Sequence, residues 1–333
     1  MTVMTVPVSP TVYADHFHRT RVLVTGGAGF IGSHLAQALV QLGSTVVILD
    51  DLSGGCRENM AAIGAVEFIE GSLLDRPALA RAVRGCRYVF HQAALGSVPV
   101  SVEKPRAFHE VNSTGTLNVL EAAREAGVQR VMFAASSSVY GNHAVPWMES
   151  MAARPQSPYA ATKAAGEALL RAYSESFGID TVSLRYFNIF GPRQNPNSAY
   201  AAVIASFAKA LLAGQRPMIY GDGTQSRDFT FVDNAVHANL LSASRESPLR
   251  GEVINVGCGH PVTVNELATT MAEAMGSPEL KPVYQTKRVG DLAHSYADLT
   301  RAREWLGYEP RVDFQNGLRR TMEWYEGRVD SKS

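Results

Sequence analysis

Tyr159 and Lys163 lie four residues apart behind Ser157-Pro158, a spacing that puts a phenol and an ammonium on one face of a helix. Ser157 has the chemistry of an N-cap and Pro158 suits the first helical position, so the pair would sit in the opening turns. A tyrosine with a pKa near 10 is a poor base at neutral pH, and each unit of depression requires about 1.4 kcal/mol. A neighbouring ammonium and a helix N-terminus both push in that direction. The run Val131 to Ala135 delivers Ser136-Ser137-Ser138-Val139-Tyr140-Gly141 at the carboxyl end of a strand, where ligands bind in open parallel sheets. A hydroxyl at Ser136 could share a proton with a substrate there; a plain polar loop is the competing reading. Asn112, in a helical run, reads either as an ordinary exposed polar residue or as a link toward Lys163.

A second chemistry precedes these residues. The strand Arg21 to Thr25 runs directly into Gly26, Gly29 and Gly32, spaced Gly-x-x-Gly-x-x-Gly, and a helix opens at once with Phe30 and Ile31. Glycines at this spacing allow a sharp turn, close approach of backbone N–H groups to a pyrophosphate, and tight packing of helix on sheet. The strand before, the helix after and Asp50 at the end of the next strand supply the context of a dinucleotide site. Asp50 would accept the adenosine ribose hydroxyls and repel an added 2'-phosphate, which favours NAD over NADP. Arg57 lies near enough in sequence to hold such a phosphate, although an exposed loop charge is the plainer reading.

The elements that must position these groups alternate short apolar runs with longer helical ones. Strands are expected at Val22 to Thr25, Thr45 to Asp50, Val66 to Glu70, Tyr88 to Gln92, Val131 to Ala135 and Thr181 to Leu184. Helices are expected at Phe30 to Leu42, Leu74 to Val83, Phe108 to Ala126 and Tyr159 to Phe177, which makes an α/β fold with a Rossmann-type, doubly wound parallel sheet. After Arg185 the rhythm breaks into Gly- and Pro-punctuated chain, expected to form a smaller C-terminal substrate-binding lobe. The expected division is therefore an extension over 1–20, a cofactor domain over 21–185, and a lobe over 186–330 with some chain returning to the first domain. At 333 residues, with 31 basic and 31 acidic side chains, nothing offers the broad basic field that nucleic acid needs. No long apolar run calls for a membrane, and three scattered cysteines without C-x-x-C argue against a disulfide framework or zinc site and fit a reducing cytoplasm.

Thr25 to Gly32, the Asn112 helix, the Ser136 segment and Tyr159-x-x-x-Lys163 resemble the extended short-chain dehydrogenases/reductases. His91-Gln92-Ala93-Ala94 and Arg185-Tyr186-Phe187-Asn188 resemble their sugar-nucleotide branch, and the likeness runs from Arg21 to Tyr325. It implies Tyr159 as acid/base, Lys163 as holder of the nicotinamide ribose and Ser136 as assistant at the reacting hydroxyl. It further implies a cofactor site of Gly26, Gly29, Phe30, Ile31, Gly32, Asp50 and Asp51, continued by Ser72, Leu73, Gln92, Ala93, Ala94, Asn112 and Tyr186. Ser72 departs from the family, which usually has Asp there for the adenine amino group; serine can accept the same bond without charge.

Within this branch, sugar 4,6-dehydratases carry carboxylates after the strand-end serine, as decarboxylases of the fold also tend to do. This chain has Ser137 and Ser138 in those places, which favours epimerisation at C4 of a UDP-sugar through a 4-keto intermediate. For the UDP part the resemblance points to Asn188, Arg227, Arg288 and Asp291, with Met218 to Tyr220 beside uracil. Gly96 and Ser97, together with Ala202 and Val203, lie in stretches similar to the UDP-N-acetylglucosamine 4-epimerase group. Small residues at Gly96, Ala202 and Ser295 would leave room for an N-acetyl group. A UDP-glucose/UDP-galactose epimerase and a non-catalytic NAD-binding regulator stay open as alternatives. The family also implies a homodimer formed by the helices around Phe108 to Ala126 and Ala160 to Phe177.

Overall fold

The computed structural model describes residues 10–195, 203–287 and 292–329. Short apolar runs, many of them rich in β-branched residues, form the central strands: β1 (Arg21–Thr25), β2 (Thr45–Asp50), β3 (Glu67–Glu70), β4 (Tyr88–His91), β5 (Arg130–Ser136), β6 (Asp180–Tyr186) and β7 (Glu252–Val256). All pair in parallel, in the order β7-β6-β5-β4-β1-β2-β3. The order reverses between β1 and β4, where a doubly wound sheet opens its ligand crevice.

Period-two alternation decides what each face buries. Val22, Val24, Ile48 and Phe90 pack on one side against α1 (Pro10–Phe17), α2 (Phe30–Gln41) and a later helix, Val232–Ser244. Leu23, Val47, Leu49 and Val89 pack on the other against α3 (Arg76–Val83), α4 (Gly115–Glu125) and α5 (Pro158–Phe177). A separate core of Phe190, Phe207, Phe229, Met271 and Leu318 holds the smaller lobe around helices α6 (Val203–Leu212) and, after α7 (Val232–Ser244), α8 (Val264–Ala274).

Three features depart from the sequence expectation. Residues 10–17, read as part of an extension before the fold, form α1, whose Tyr13 and Phe17 are fully buried; Tyr13 Oη hydrogen-bonds His237 Nδ1 of α7 at 2.5 Å. The sheet gains β7, beyond the point where it was expected to be complete, because Glu252–Val256 returns to pair with β6. The single helix expected over Phe108 to Ala126 is broken by a π turn at His109–Thr114, which turns the Asn112 side chain onto the backbone of Leu95.

Candidate active site

The glycine loop is shaped by close approaches that no Cβ could share. Gly26 has φ +70, and a Cβ there would lie 2.7 Å from Ala93 Cα and N; a Cβ on Gly32 would lie 2.1 Å from Gly26 O. The loop therefore presses against the chain leaving β4, across the switch point. Asp50 ends β2 beside it. Its Oδ2 accepts from Ala28 N at 3.0 Å and its Oδ1 from Leu52 N at 2.8 Å, while burial raises its carboxyl above the usual range. Asp51 accepts from Ser53 N and Oγ, and both aspartates border the cleft. Leu73 lies on the wall, whereas the Ser72 hydroxyl accepts from Leu74 N at 3.3 Å and does not. Arg57 pairs with Glu70, the cross-strand neighbour of Asp50, and stacks on Phe68.

Gln92 and Tyr186, from the ends of β4 and β6, are joined by a residue the sequence reading missed. Asn239 Nδ2 donates to Tyr186 Oη at 2.7 Å, Gln92 Nε2 donates to Asn239 Oδ1 at 3.2 Å, and Tyr186 Oη donates to Gln92 Oε1 at 3.2 Å. Ala93 and Ala94 continue the wall. Asn239 is fully buried on α7, and its only sequence signal is an amide inside the otherwise apolar stretch Ala238 to Leu241.

Ser157 caps α5, accepting from Ala160 N at 3.1 Å, and Pro158 opens the helix as expected. Tyr159 and Lys163 both face the cleft, with Lys163 Nζ 5.9 Å from the Tyr159 ring centre and 4.9 Å from that of Phe133. Lys163 Nζ donates to Ala134 O at 2.6 Å. Asn112 does not reach Lys163: its Nδ2 donates to Leu95 O and to Thr162 Oγ1, each at 3.1 Å, and its Oδ1 accepts from Leu95 N. It ties the loop carrying Gly96 to the helical turn carrying Lys163 and lies behind the cleft wall. The tyrosine differs from expectation too. Burial raises its phenol above 10, with Ser136 the group that draws it back down; burial lowers the Lys163 ammonium to about 8, opposed by Glu167. In the protein alone desolvation outweighs the nearby ammonium and helix N-terminus.

The cleft holds about 660 Å³ and runs from the glycine loop past Ser136, Ser137 and Tyr159 to Asn188, Arg227 and Ser295. A connected recess of about 280 Å³ shares Asn188 and Arg227 and is lined by Val203, Met218 and Tyr220. Asn188 takes a positive φ of 36, turning the chain where β6 enters the lobe. Gly96 borders the cleft with open space where a Cβ would stand, while Ser97 caps the following turn, accepting from Val100 N. Ser295 is 4 % exposed on the cleft wall. Ala202, Arg288 and Asp291 lie outside the described residues. Trp147 also borders the cleft, a contribution with no motif to announce it.

These features define a doubly wound α/β fold whose candidate site residues meet in one cleft at the carboxyl ends of β4, β5 and β6. Residues 22–257 match the NAD dependent epimerase/dehydratase family. The chain is 40% identical over 314 residues to the UDP-glucose 4-epimerase of Mycolicibacterium smegmatis, covering 92% of this chain and 99% of that one. It is similar to the structure of a UDP-N-acetylglucosamine 4-epimerase from Methanobrevibacter ruminantium in complex with UDP-N-acetylmuramic acid (TM-score 0.89, 41% identity, 93% and 99% covered). It is also similar to that of the Thermus thermophilus UDP-glucose 4-epimerase with NAD (TM-score 0.84, 39% identity, 92% and 99% covered). The chain belongs to the NAD-dependent epimerase/dehydratase family.

Proposed function

We propose that the protein is an NAD-dependent UDP-sugar 4-epimerase whose preferred pair is UDP-N-acetylglucosamine and UDP-N-acetylgalactosamine. The observation that carries the epimerase reading is the convergence of Tyr159, Lys163 and Ser136 on one cleft, with serines and no carboxylate at 137 and 138. The glycine loop, whose tight turn no Cβ at Gly26 or Gly32 would allow, and the Asp50 carboxylate at the end of β2 fit a dinucleotide. NAD, when bound, supplies reversible hydride uptake at the sugar C4. Tyr159 takes the proton of the C4 hydroxyl as that carbon is oxidised, and restores it when the carbon is reduced from the opposite face. Lys163, anchored to Ala134 O, holds positive charge beside the phenolate and is placed to contact the nicotinamide ribose. Ser136 donates to the oxygen that passes between hydroxyl and carbonyl. Arg227 and Asn188, where cleft and recess join, suit the diphosphate, and Met218 and Tyr220 suit the uracil.

Preference for the N-acetylated pair is supported by the open space at Gly96 and the small side chain of Ser295 on the same cleft. We place the cofactor domain at 21–185, joined by α1 and by the returning α7 and β7, and the sugar lobe mainly at 186–330. A cytoplasmic homodimer paired through α4 and α5 accords with the exposed Leu117 and Phe177 on those helices. Purified protein incubated with UDP-N-acetylglucosamine, and separately with UDP-glucose, tests the reading when the C4 epimers are separated. The N-acetylated pair is expected to show the larger kcat/KM. Faster turnover of UDP-glucose moves the assignment to plain hexoses, and NAD binding with neither turnover makes the protein a non-catalytic binder.

A further inference from the structure

The hydroxyl of Ser136 meets both polar groups of Ser138. A serine hydroxyl has one proton to give and two lone pairs to receive. Ser136 Oγ accepts from Ser138 N at 3.2 Å and lies 2.9 Å from Ser138 Oγ, so a proton given by the Ser138 hydroxyl would fill the second acceptor site from the same residue. With both filled, only donation is left to Ser136, which lines the cleft together with Ser138 and Tyr159. From this arrangement we infer that Ser138 is a positioning residue: by occupying both lone pairs of Ser136 it forces the Ser136 proton toward the cleft oxygens. The inference rests on the reading of Tyr159 as the acid/base.

The consequence is asymmetric. A neutral Ser136 free to accept would stabilise the protonated phenol, whereas a Ser136 that can only donate stabilises the phenolate and, later, the oxygen at C4. Ser136 is also the group that opposes the rise of the Tyr159 pKa caused by burial. Ser138 reaches this position because Ser136 starts the tight turn Ser137–Tyr140, which brings residue 138 back over the Ser136 side chain. In Ser138→Ala the backbone bond from residue 138 that caps the turn survives; only the second bond is lost, and one lone pair of Ser136 is released.

Two measurements on the NAD-loaded protein test this. In the first, no sugar is present: phenolate absorbance is followed against pH in wild type, Ser138→Ala and Ser138→Thr. Each is referred to its own Tyr159→Phe counterpart, so that the difference reports Tyr159 alone. Ser138→Ala is expected to raise the midpoint by about half to one pH unit, and Ser138→Thr, which restores a hydroxyl, to return it toward wild type. An unchanged midpoint in Ser138→Ala overturns the proposal, whether or not any UDP-hexose is turned over. In the second, Ser138→Ala lowers kcat at pH 7 about three- to tenfold with KM within about twofold, while adding it to Ser136→Ala costs nothing further. Additive losses would mean that Ser138 acts on the substrate directly. Absence of turnover in wild type, with the midpoint shift intact, would remove the epimerase reading and leave the positioning role standing.

Discussion

Lys163 Nζ donates to Ala134 O at 2.6 Å, two residues before Ser136 on the same strand. One hydrogen bond thus fastens the first turns of α5 to the end of β5, and the three groups assigned to proton transfer share a rigid support. Small errors of placement there cost rate steeply, because reacting atoms must be held near their attack distance.

Removal of the phenol oxygen should be felt in chemistry alone. Tyr159→Phe keeps the ring that packs edge-on against Phe108 at 6.4 Å, so the fold and bound NAD are retained. Turnover is expected to fall by roughly 10² to 10⁴. Near-normal kcat in a folded variant would reject Tyr159 as the acid/base.

Cofactor choice follows from two side chains. The Asp50 carboxylate stands by the glycine loop, and Arg57 is held by Glu70 rather than free to meet an added phosphate. The protein is expected to release NAD on heat denaturation, and to bind NADP at least about tenfold more weakly. Preferential release of NADP would show that Arg57 leaves Glu70 for the cofactor.

Substrate choice is tested at Ser295. Tyrosine there would fill space that an N-acetyl group needs and a plain hexose does not. Ser295→Tyr is expected to cut kcat/KM for UDP-N-acetylglucosamine by at least about tenfold, or about 1.4 kcal/mol, with UDP-glucose turnover retained or raised. Equal losses on both would point to general damage. No change on either would place Ser295 outside the sugar pocket.

Acid should unfold this protein early. Burial lowers His34, His91 and His237 from 6.5 to about 3. Below pH 6.5 the unfolded chain takes up protons that these imidazoles refuse, so stability falls with pH through the window from 6.5 toward 3, by at most about 1.4 kcal/mol per histidine per pH unit. Asp233, raised by burial to about 6, works in the opposite sense, as do Asp50, Glu149 and Asp228, whose carboxyls burial also raises, so the fall is steepest at the top of the window, between pH 6.5 and 6. Tm is expected to drop between pH 7 and 6; a flat profile over that unit would mean that the buried imidazoles become charged without unfolding.

Much of the site could be read from the chain because it is local. Gly26, Gly29 and Gly32, Ser157 with Pro158, and Tyr159 with Lys163 are fixed by contacts within one turn or one strand–helix junction, so spacing alone carries them. What escaped depends on distant partners. Asn112 read either as an exposed polar residue or as a link toward Lys163, and in the π turn it is buried and bonded to Leu95 and to Thr162, the neighbour of Lys163. Asn239 joins Gln92 across 147 residues, and β7 completes the sheet from within the second lobe. The expected depression of Tyr159 failed in the protein alone because burial is a property of the packed site and not of the Tyr-x-x-x-Lys spacing.

The bond between Tyr13 and His237 spans 224 residues. During synthesis α1 leaves the ribosome before any other described helix, yet the surface it covers includes α7, made more than two hundred residues later. Phe17 can seat once β4 supplies Tyr88 and Phe90, whereas Tyr13 lacks its hydrogen-bond partner until α7 is produced. The earliest described helix in time is thus seated in two stages, and the first domain closes over Tyr13 only once the chain has already entered its second lobe.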